Sequence, residues 1–241
     1  MKRITSIGFI VMLLSVFTLS NAQEQRFRLG MKFSGNLSWI SPVTSNIKRV
    51  GTSVGYSYGL MGDYNFQKYY ALSSELLFTN IAGTIQHTDL LNYTDSVKGK
   101  SSFRDVKYEY KTQYVQLPVS IKFKTKEFGY WSYWVQFGMA PSFLTVAKAN
   151  IIGQSLPFDE TEGIRVNKKQ NDKYQFDDFN DKVFLLRLPM IIGGGFEYSL
   201  AGNTSLYAGI RLDQNFADMF AADKSVIGKN NFVSLNLGVF F

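Results

Sequence analysis

The 241-residue sequence predicts an all-β fold: an eight-stranded antiparallel transmembrane up-and-down β-barrel. Three observations predict it. Apolar residues recur with a period of two, and a helical period of 3.6 is almost absent. The alternating segments are joined by short and long connections in turn, as in a barrel with short turns at one rim and long loops at the other. Aromatic residues make up 16% of the chain and charged residues only 19%. Disordered chains are poor in aromatics and rich in charge, so that class is excluded.

Residues 1–22 read as a cleaved signal peptide ahead of a barrel domain at 23–241. Met1-Lys2-Arg3 is a basic start, Ile7 to Leu19 is an apolar run, and Ser20-Asn21-Ala22 supplies small residues at a cleavage site. The run is too short to span a bilayer as a helix. No Cys follows the cleavage site, so a lipid-anchored lipoprotein is not expected. The formal charge of +7 falls to +5 once Lys2 and Arg3 are removed. That mild excess is spread over strands and loops, which speaks against nucleic acid as a partner.

The first strand covers Phe27–Trp39. Phe27, Leu29, Met31, Phe33, Leu37 and Trp39 share one face, while Arg28, Lys32, Ser34, Asn36 and Ser38 share the other. The second runs from about Ser53 to Phe66, with Val54, Tyr56, Tyr58, Leu60, Tyr64 and Phe66 together. The third runs from about Tyr70 to Thr84 and sets Leu72, Leu76 and Phe78 against Ser73, Glu75 and Thr79. The fourth ends near Lys124, with Val115, Leu117, Val119, Ile121 and Phe123 opposite Gln116, Ser120 and Lys122. The fifth begins near Trp131, with Tyr133, Val135, Phe137 and Met139 opposite Ser132, Gln136 and Gly138. The sixth, about Val183–Leu200, opposes Leu186, Leu188, Met190, Ile192, Phe196 and Tyr198 to Arg187, Gly193, Gly195 and Glu197. The seventh, about Thr204–Phe216, opposes Leu206, Ala208, Ile210 and Leu212 to Ser205, Gly209, Arg211 and Asp213. The eighth, Phe232–Phe241, puts Val233, Leu235, Leu237, Val239 and Phe241 on one face. Phe232 and Phe240 lie on the other with Ser234, Asn236 and Gly238.

Short connections fall near Gln67–Tyr69, Thr125–Tyr130 and Ala201–Asn203. Long ones fall near Ile40–Thr52, Ile85–Lys107, Ala147–Lys182 and Ala217–Asn231. An even strand number then leaves both termini on the periplasmic side. Strands of about 10 to 16 residues exceed the 9–11 needed to cross, so the excess projects from the outer surface.

The apolar face decides between a membrane barrel and a soluble lipocalin-like one. An eight-stranded bore is only just wide enough for side chains, and the faces above hold too many Phe, Tyr and Trp to fit inside. Turned outward, they supply a lipid-facing band with interfacial girdles. The other face then fills the bore with Arg28, Lys32, Asp63, Glu75, Lys122, Lys124, Arg187, Glu197, Arg211 and Asp213. Paired across the strands, such charges form a lumen-filling network. Glu75, Arg187, Glu197, Arg211 and Asp213 are its expected core, while Arg28 and Lys124 are expected in solvent at the periplasmic rim.

Other motifs read plainly. Gly193-Gly194-Gly195 lacks the helix and Lys-Ser/Thr of a phosphate loop. Pro118 and Pro189 interrupt strand patterns, so a bulge or distortion is expected at each. The acids of 147–182 (Asp159, Glu160, Glu162, Asp172, Asp177, Asp178, Asp181) have no calcium-loop spacing and alternate with Lys and Arg, as in a solvated loop. With no Cys and a single His, His87, neither a thiolate nor a His-rich metal site exists, and no cofactor is expected.

Several strings resemble the PorT-like outer-membrane β-barrel proteins of the Bacteroidota. They are Leu29–Leu37 (LGMKFSGNL), Tyr56–Phe66 (YSYGLMGDYNF), Ala71–Phe78 (ALSSELLF), Tyr114–Lys124 (YVQLPVSIKFK), Gln136–Phe143 (QFGMAPSF), Ile192–Gly209 (IGGGFEYSLAGNTSLYAG) and the terminal VSLNLGVFF. Together they touch all eight strands. The resemblance implies insertion by the outer-membrane assembly machinery, with Phe241 in the targeting signal. It also implies structural roles around Glu75, Pro118 and Glu197-Tyr198. The founding member serves gliding and type IX secretion.

The function expected is that of a non-enzymatic barrel in the outer membrane of a Gram-negative bacterium. Its bore is filled, and its role is structural or interactive, with a part in secretion as one version. Outer-membrane lipids surround it, and the segments 85–107 and 147–182 form its contact surface for a protein partner. The alternatives are a small passive pore and a lipid-modifying enzyme. The enzyme would have to use His87, beside Thr84, Thr88 and Asp89.

Overall fold

The structure is a computed structural model that describes residues 26–43, 47–87, 91–95, 99–155, 177–178, 183–202, 204–219 and 228–241. The signal-peptide segment 1–22 and most of the acidic stretch 156–182 lie outside these residues. Among the described residues there are fourteen strands and no helix. They are β1 (Phe27–Pro42), β2 (Ile47–Arg49), β3 (Ser53–Gln67), β4 (Tyr70–His87), β5 (Leu91–Asp95), β6 (Gly99–Gln116) and β7 (Val119–Lys124). There follow β8 (Trp131–Met139), β9 (Ser142–Ser155), β10 (Asp177–Asp178), β11 (Leu186–Arg187), β12 (Pro189–Ala201), β13 (Thr204–Asn215) and β14 (Gly228–Phe240).

Eight staves emerge because three of them are built in two pieces. β6 and β7 form the fourth, β8 and β9 the fifth, and β11 and β12 the sixth. All neighbours are antiparallel, and β1 pairs with β14 from Gly30↔Phe240 to Pro42↔Gly228, closing the ring. The ring has a definite stagger. Followed across the staves from Arg28, one rung passes through Asp63, Ser73, Ser120, Gly138, Ile191, Asp213 and Phe232. It returns to β1 at Ser38, ten residues along the strand. Eight strands with that shear tilt by about 40° to the barrel axis, which is the geometry of a bore closed by side chains.

The three breaks sit at Pro118, Pro141 and Pro189, on neighbouring staves. No residue is inserted at any of them. Leu77↔Gln116 and Ser74↔Val119 flank Pro118 in one unbroken register. The same continuity links Gln116↔Ser142 to Val119↔Met139, and Ser142↔Arg187 to Met139↔Met190. Of the bulge or distortion expected at Pro118 and Pro189, the bulge is absent and the distortion takes the form of a break in the strand at unchanged register. What is lost is the N–H that each proline cannot give. The carbonyls of Pro118, Pro141 and Pro189 still accept from Glu75, Leu117 and Ala140. The return bond at Ala140 is replaced locally, because the Ser142 hydroxyl donates to the Ala140 carbonyl at 2.7 Å. A true irregularity occurs in β9, where Thr145 is the extra residue opposite Gln113 and Tyr114 and its hydroxyl donates to the Gln113 carbonyl.

The staves run further outward than their apolar alternation suggests. β4 continues to His87, β5 and β6 pair as a hairpin within the expected long loop 85–107, and β9 carries the sheet to Ser155. Beyond the lipid-facing band the alternation inverts: Ile85, Tyr110 and Ala147 turn inward into one cluster while Lys111 and Lys148 turn outward, so these extensions lack the outward apolar face that marked the rest. The third to fifth staves thus rise as a wing on one side of the barrel.

Candidate functional site

The zigzag is oriented with its apolar half outward. Phe33 (56% exposed), Tyr58, Ile121, Val135, Ile210 and Leu237 all face away from the bore. Exposed large apolar residues on every stave form the continuous band that lipid requires. Aromatic pairs such as Trp131–Tyr198, 4.7 Å between ring centroids, lie near the periplasmic turns. This is the placement of an interfacial girdle.

The polar half fills the bore. Glu75 takes hydrogen bonds from Lys32 and from Arg211 (2.8 Å). Asp213 takes one from Arg187 at 2.9 Å and lies 3.6 Å from Arg211. Asp63 receives Lys122 at 2.8 Å and Arg28 at 3.0 Å, with Lys124 at 3.2 Å. Glu197 receives Arg28 at 2.9 Å and faces Lys122 at 3.7 Å. All ten inward charges read from the sequence therefore meet an opposite charge. Arg28 and Lys124 are no solvated rim residues: their side chains are 16% and 12% exposed and tied to Asp63. They bend inward because Asp63, fully buried, needs cations that Lys122 alone does not supply.

Neutral groups knit the ions together. Gln116, fully buried, donates to Asp213 and accepts from Thr79 and Arg211. Asn230 accepts from the Arg187 Nε at 2.7 Å, and its backbone carbonyl takes a second Arg187 hydrogen bond. Ser34, Asn36, Ser57, Ser234 and Asn236 form a polar ladder between the first, second and last staves.

Apolar plugs close the bore at both ends. At the periplasmic end Met61, Trp134, Tyr207 and Phe240 pack into a cluster. Trp134 stacks on Tyr207 at 4.7 Å, and Phe240 lies 4.4 Å below the Arg28 guanidinium and 5.0 Å from the Lys122 ammonium. At the outer end Ile40, Ile47, Ile85, Tyr110, Ala147, Val183 and Met219 form a second cluster. Ile81, Tyr114 and Phe232 sit between it and the charges.

Alternation placed Phe232 and Phe240 on the inward face but did not reveal Trp134, Tyr207, Tyr110 or Tyr114. An eight-stranded bore admits Trp134 because Gly195 and Gly209 face it: a Cβ on either would lie within 2.8 Å of the indole. Gly30 and Gly238 make the same room for Met61. The signal was present as an inward parity shared by one aromatic and the glycines of neighbouring strands. His87 pairs through its backbone with Ile47 and Val106 at the outer end of β4. Its side chain lies outside the described residues, as do the side chains of Asp159 to Asp181.

A family model described as outer membrane protein beta-barrel domain matches residues 21–221. The chain belongs to this outer-membrane β-barrel family. Its place is accordingly the outer membrane. Among solved structures it is similar to Neisserial surface protein A, at 11% identity and a TM-score of 0.42, over 90% of this chain and 98% of that one. It is also similar to Ail, the attachment invasion locus protein of Yersinia pestis, at 13% identity and 0.38, over 89% and 97%. A third is the outer membrane protease OmpT of Escherichia coli, at 7% identity and 0.39, over 93% and 99%. No curated protein matches.

Proposed function

We propose that this family member is a closed, non-enzymatic barrel that works through its outer surface as a structural or interaction component. The observation that carries this is the packing of the bore, where Arg211, Lys122, Gln116 and Phe240 are each at most 1% exposed. A path for solute would have to break the ion pairs around Glu75 and Asp63 and displace both apolar plugs. The wing of β4, β5, β6 and β9 is the contact surface for a protein partner, with the segments 85–107 and 147–182 at its outer end. Membership of the PorT-like branch in Bacteroidota, and with it a part accessory to protein secretion, belongs to the same proposal and is supported by the strings quoted above.

Planar-bilayer recording of the purified barrel tests the closed bore. Silence, or brief flickers only, is expected. Stable, large, salt-dependent openings would refute it and favour the passive pore. The secretion version is tested separately by deleting the gene. Normal export with an intact envelope would remove it. Comparing outer-membrane lipids from strains with and without the protein tests the enzymatic alternative, and identical lipids are expected.

A further inference from the structure

Four buried side chains of the bore carry polar atoms with no hydrogen-bond partner among the described residues. They are the indole N–H of Trp134, both ends of the Gln136 amide, the phenol of Tyr207 and the Nε–H of Arg211. Each residue is at most 2% exposed. The ladder places them side by side. Gln136 and Arg211 lie on one rung with only Gly193 between them. Trp134 is the next inward residue toward the periplasm from Gln136. Its indole lies across Gly195 and Gly209 and stacks on Tyr207 at 4.7 Å. Lys122 stands directly opposite Gln136, and its ammonium is 5.1 Å from the Tyr207 ring centre and 5.5 Å from that of Trp134. A buried polar group without a partner is costly, so a set of them at neighbouring positions calls for a ligand.

Two independent features fix the sign of that ligand. The first is the excess of donors. Trp134, Tyr207 and Arg211 each offer a hydrogen, and the Gln136 amide offers two against its one carbonyl. Water would bring hydrogens of its own to a place short of acceptors: Glu197 Oε1, the other unpartnered oxygen nearby, already faces Lys122 at 3.7 Å. The second is charge. The ten charged side chains of the bore are six cations and four carboxylates, none more than 16% exposed. Positive charge enclosed in a medium of low dielectric is costly unless an anion accompanies it. We propose that a single chloride ion binds in the bore between Gln136, Trp134, Tyr207 and Arg211, with Lys122 beside it. A monatomic anion suits the site because it accepts from every direction and needs no forked donor. The paired nitrogens of Arg211, NH1 and NH2, are already given to Glu75 and Gln116. The site rests on the packing of the bore and not on any role of the outer surface.

The test uses the mature protein refolded into lipid vesicles, with chloride exchanged for gluconate at constant ionic strength. Chloride should oppose urea unfolding. Once the site is filled, each tenfold rise in chloride should lower the unfolding constant about tenfold, the signature of one ion released per barrel. Gln136→Leu should match the wild type in gluconate and gain nothing from chloride. Tyr207→Phe, which loses one donor, should need more chloride for the same gain. As a second readout, the wild type is refolded and crystallised in bromide, and diffraction is measured at the bromine absorption edge. One anomalous peak is expected inside the bore, beside Trp134 and Gln136. Unfolding indifferent to chloride, a full chloride gain in Gln136→Leu, or a bore with no anomalous peak would each overturn the proposal and leave ordered water as the partner of these donors. The bromide map needs only the wild type and decides the matter even where a variant folds poorly.

Discussion

Removing the carboxylate of Glu75 tests whether the lumen network stabilises the fold. Glu75 accepts from Lys32, whose side chain is fully buried, and from Arg211, which is 1% exposed. Glu75→Gln keeps the shape and removes the charge. Arg211 retains Asp213 at 3.6 Å and Gln116 at 3.4 Å. Lys32 is left a buried cation whose carboxylate is gone. Breaking a buried pair in this way costs about 3–5 kcal/mol, or roughly two to four orders of magnitude in the unfolding equilibrium. Urea unfolding in lipid vesicles, followed by Trp fluorescence and by the shift between folded and unfolded bands on unheated gels, measures it. The double variant Lys32→Met with Glu75→Gln removes the stranded cation and should recover most of the loss. Two results would refute the reasoning: a single variant within about 1 kcal/mol of wild type, or a double variant as unstable as the single one.

The same assay reads the remaining expectations. Phe240→Ala should cost about 3–5 kcal/mol, because it empties a packed site beneath Arg28 and Lys122, whereas Phe241→Ala, facing lipid, should cost far less. Gly209→Ala should cost about 1–3 kcal/mol by pushing a methyl into Trp134, and Trp134→Phe in that background should return part of it. Gln116→Leu should destabilise by about 2 kcal/mol or more through the loss of its bonds to Asp213, Thr79 and Arg211. Gln136→Leu should be nearly neutral, since its buried amide has no hydrogen-bond partner among the described residues. Ser142→Ala should cost about 1 kcal/mol by orphaning the Ala140 carbonyl, and adding Pro189→Ala, which restores an N–H there, should offset it.

Alternation by itself determined the barrel, the direction of its faces and the identity of the buried charges. Those follow from a strict period of two against two immiscible surroundings: lipid must meet Phe33 and Leu237, and only a closed bore can take Arg211 and Asp213. Tertiary structure alone decided who pairs with whom. Arg28 meets Glu197, 169 positions away, because a shear of ten residues brings the first and sixth staves to face each other across the bore. The inward turn of Arg28 and Lys124, and the unbroken register through Pro118, Pro141 and Pro189, were equally illegible, since neither changes the period. Trp134 and Tyr207 escaped notice for a related reason, whereas the inward side of Phe240 was legible. Parity says which side a residue faces, but only the glycines across the ladder say whether a ring will fit there.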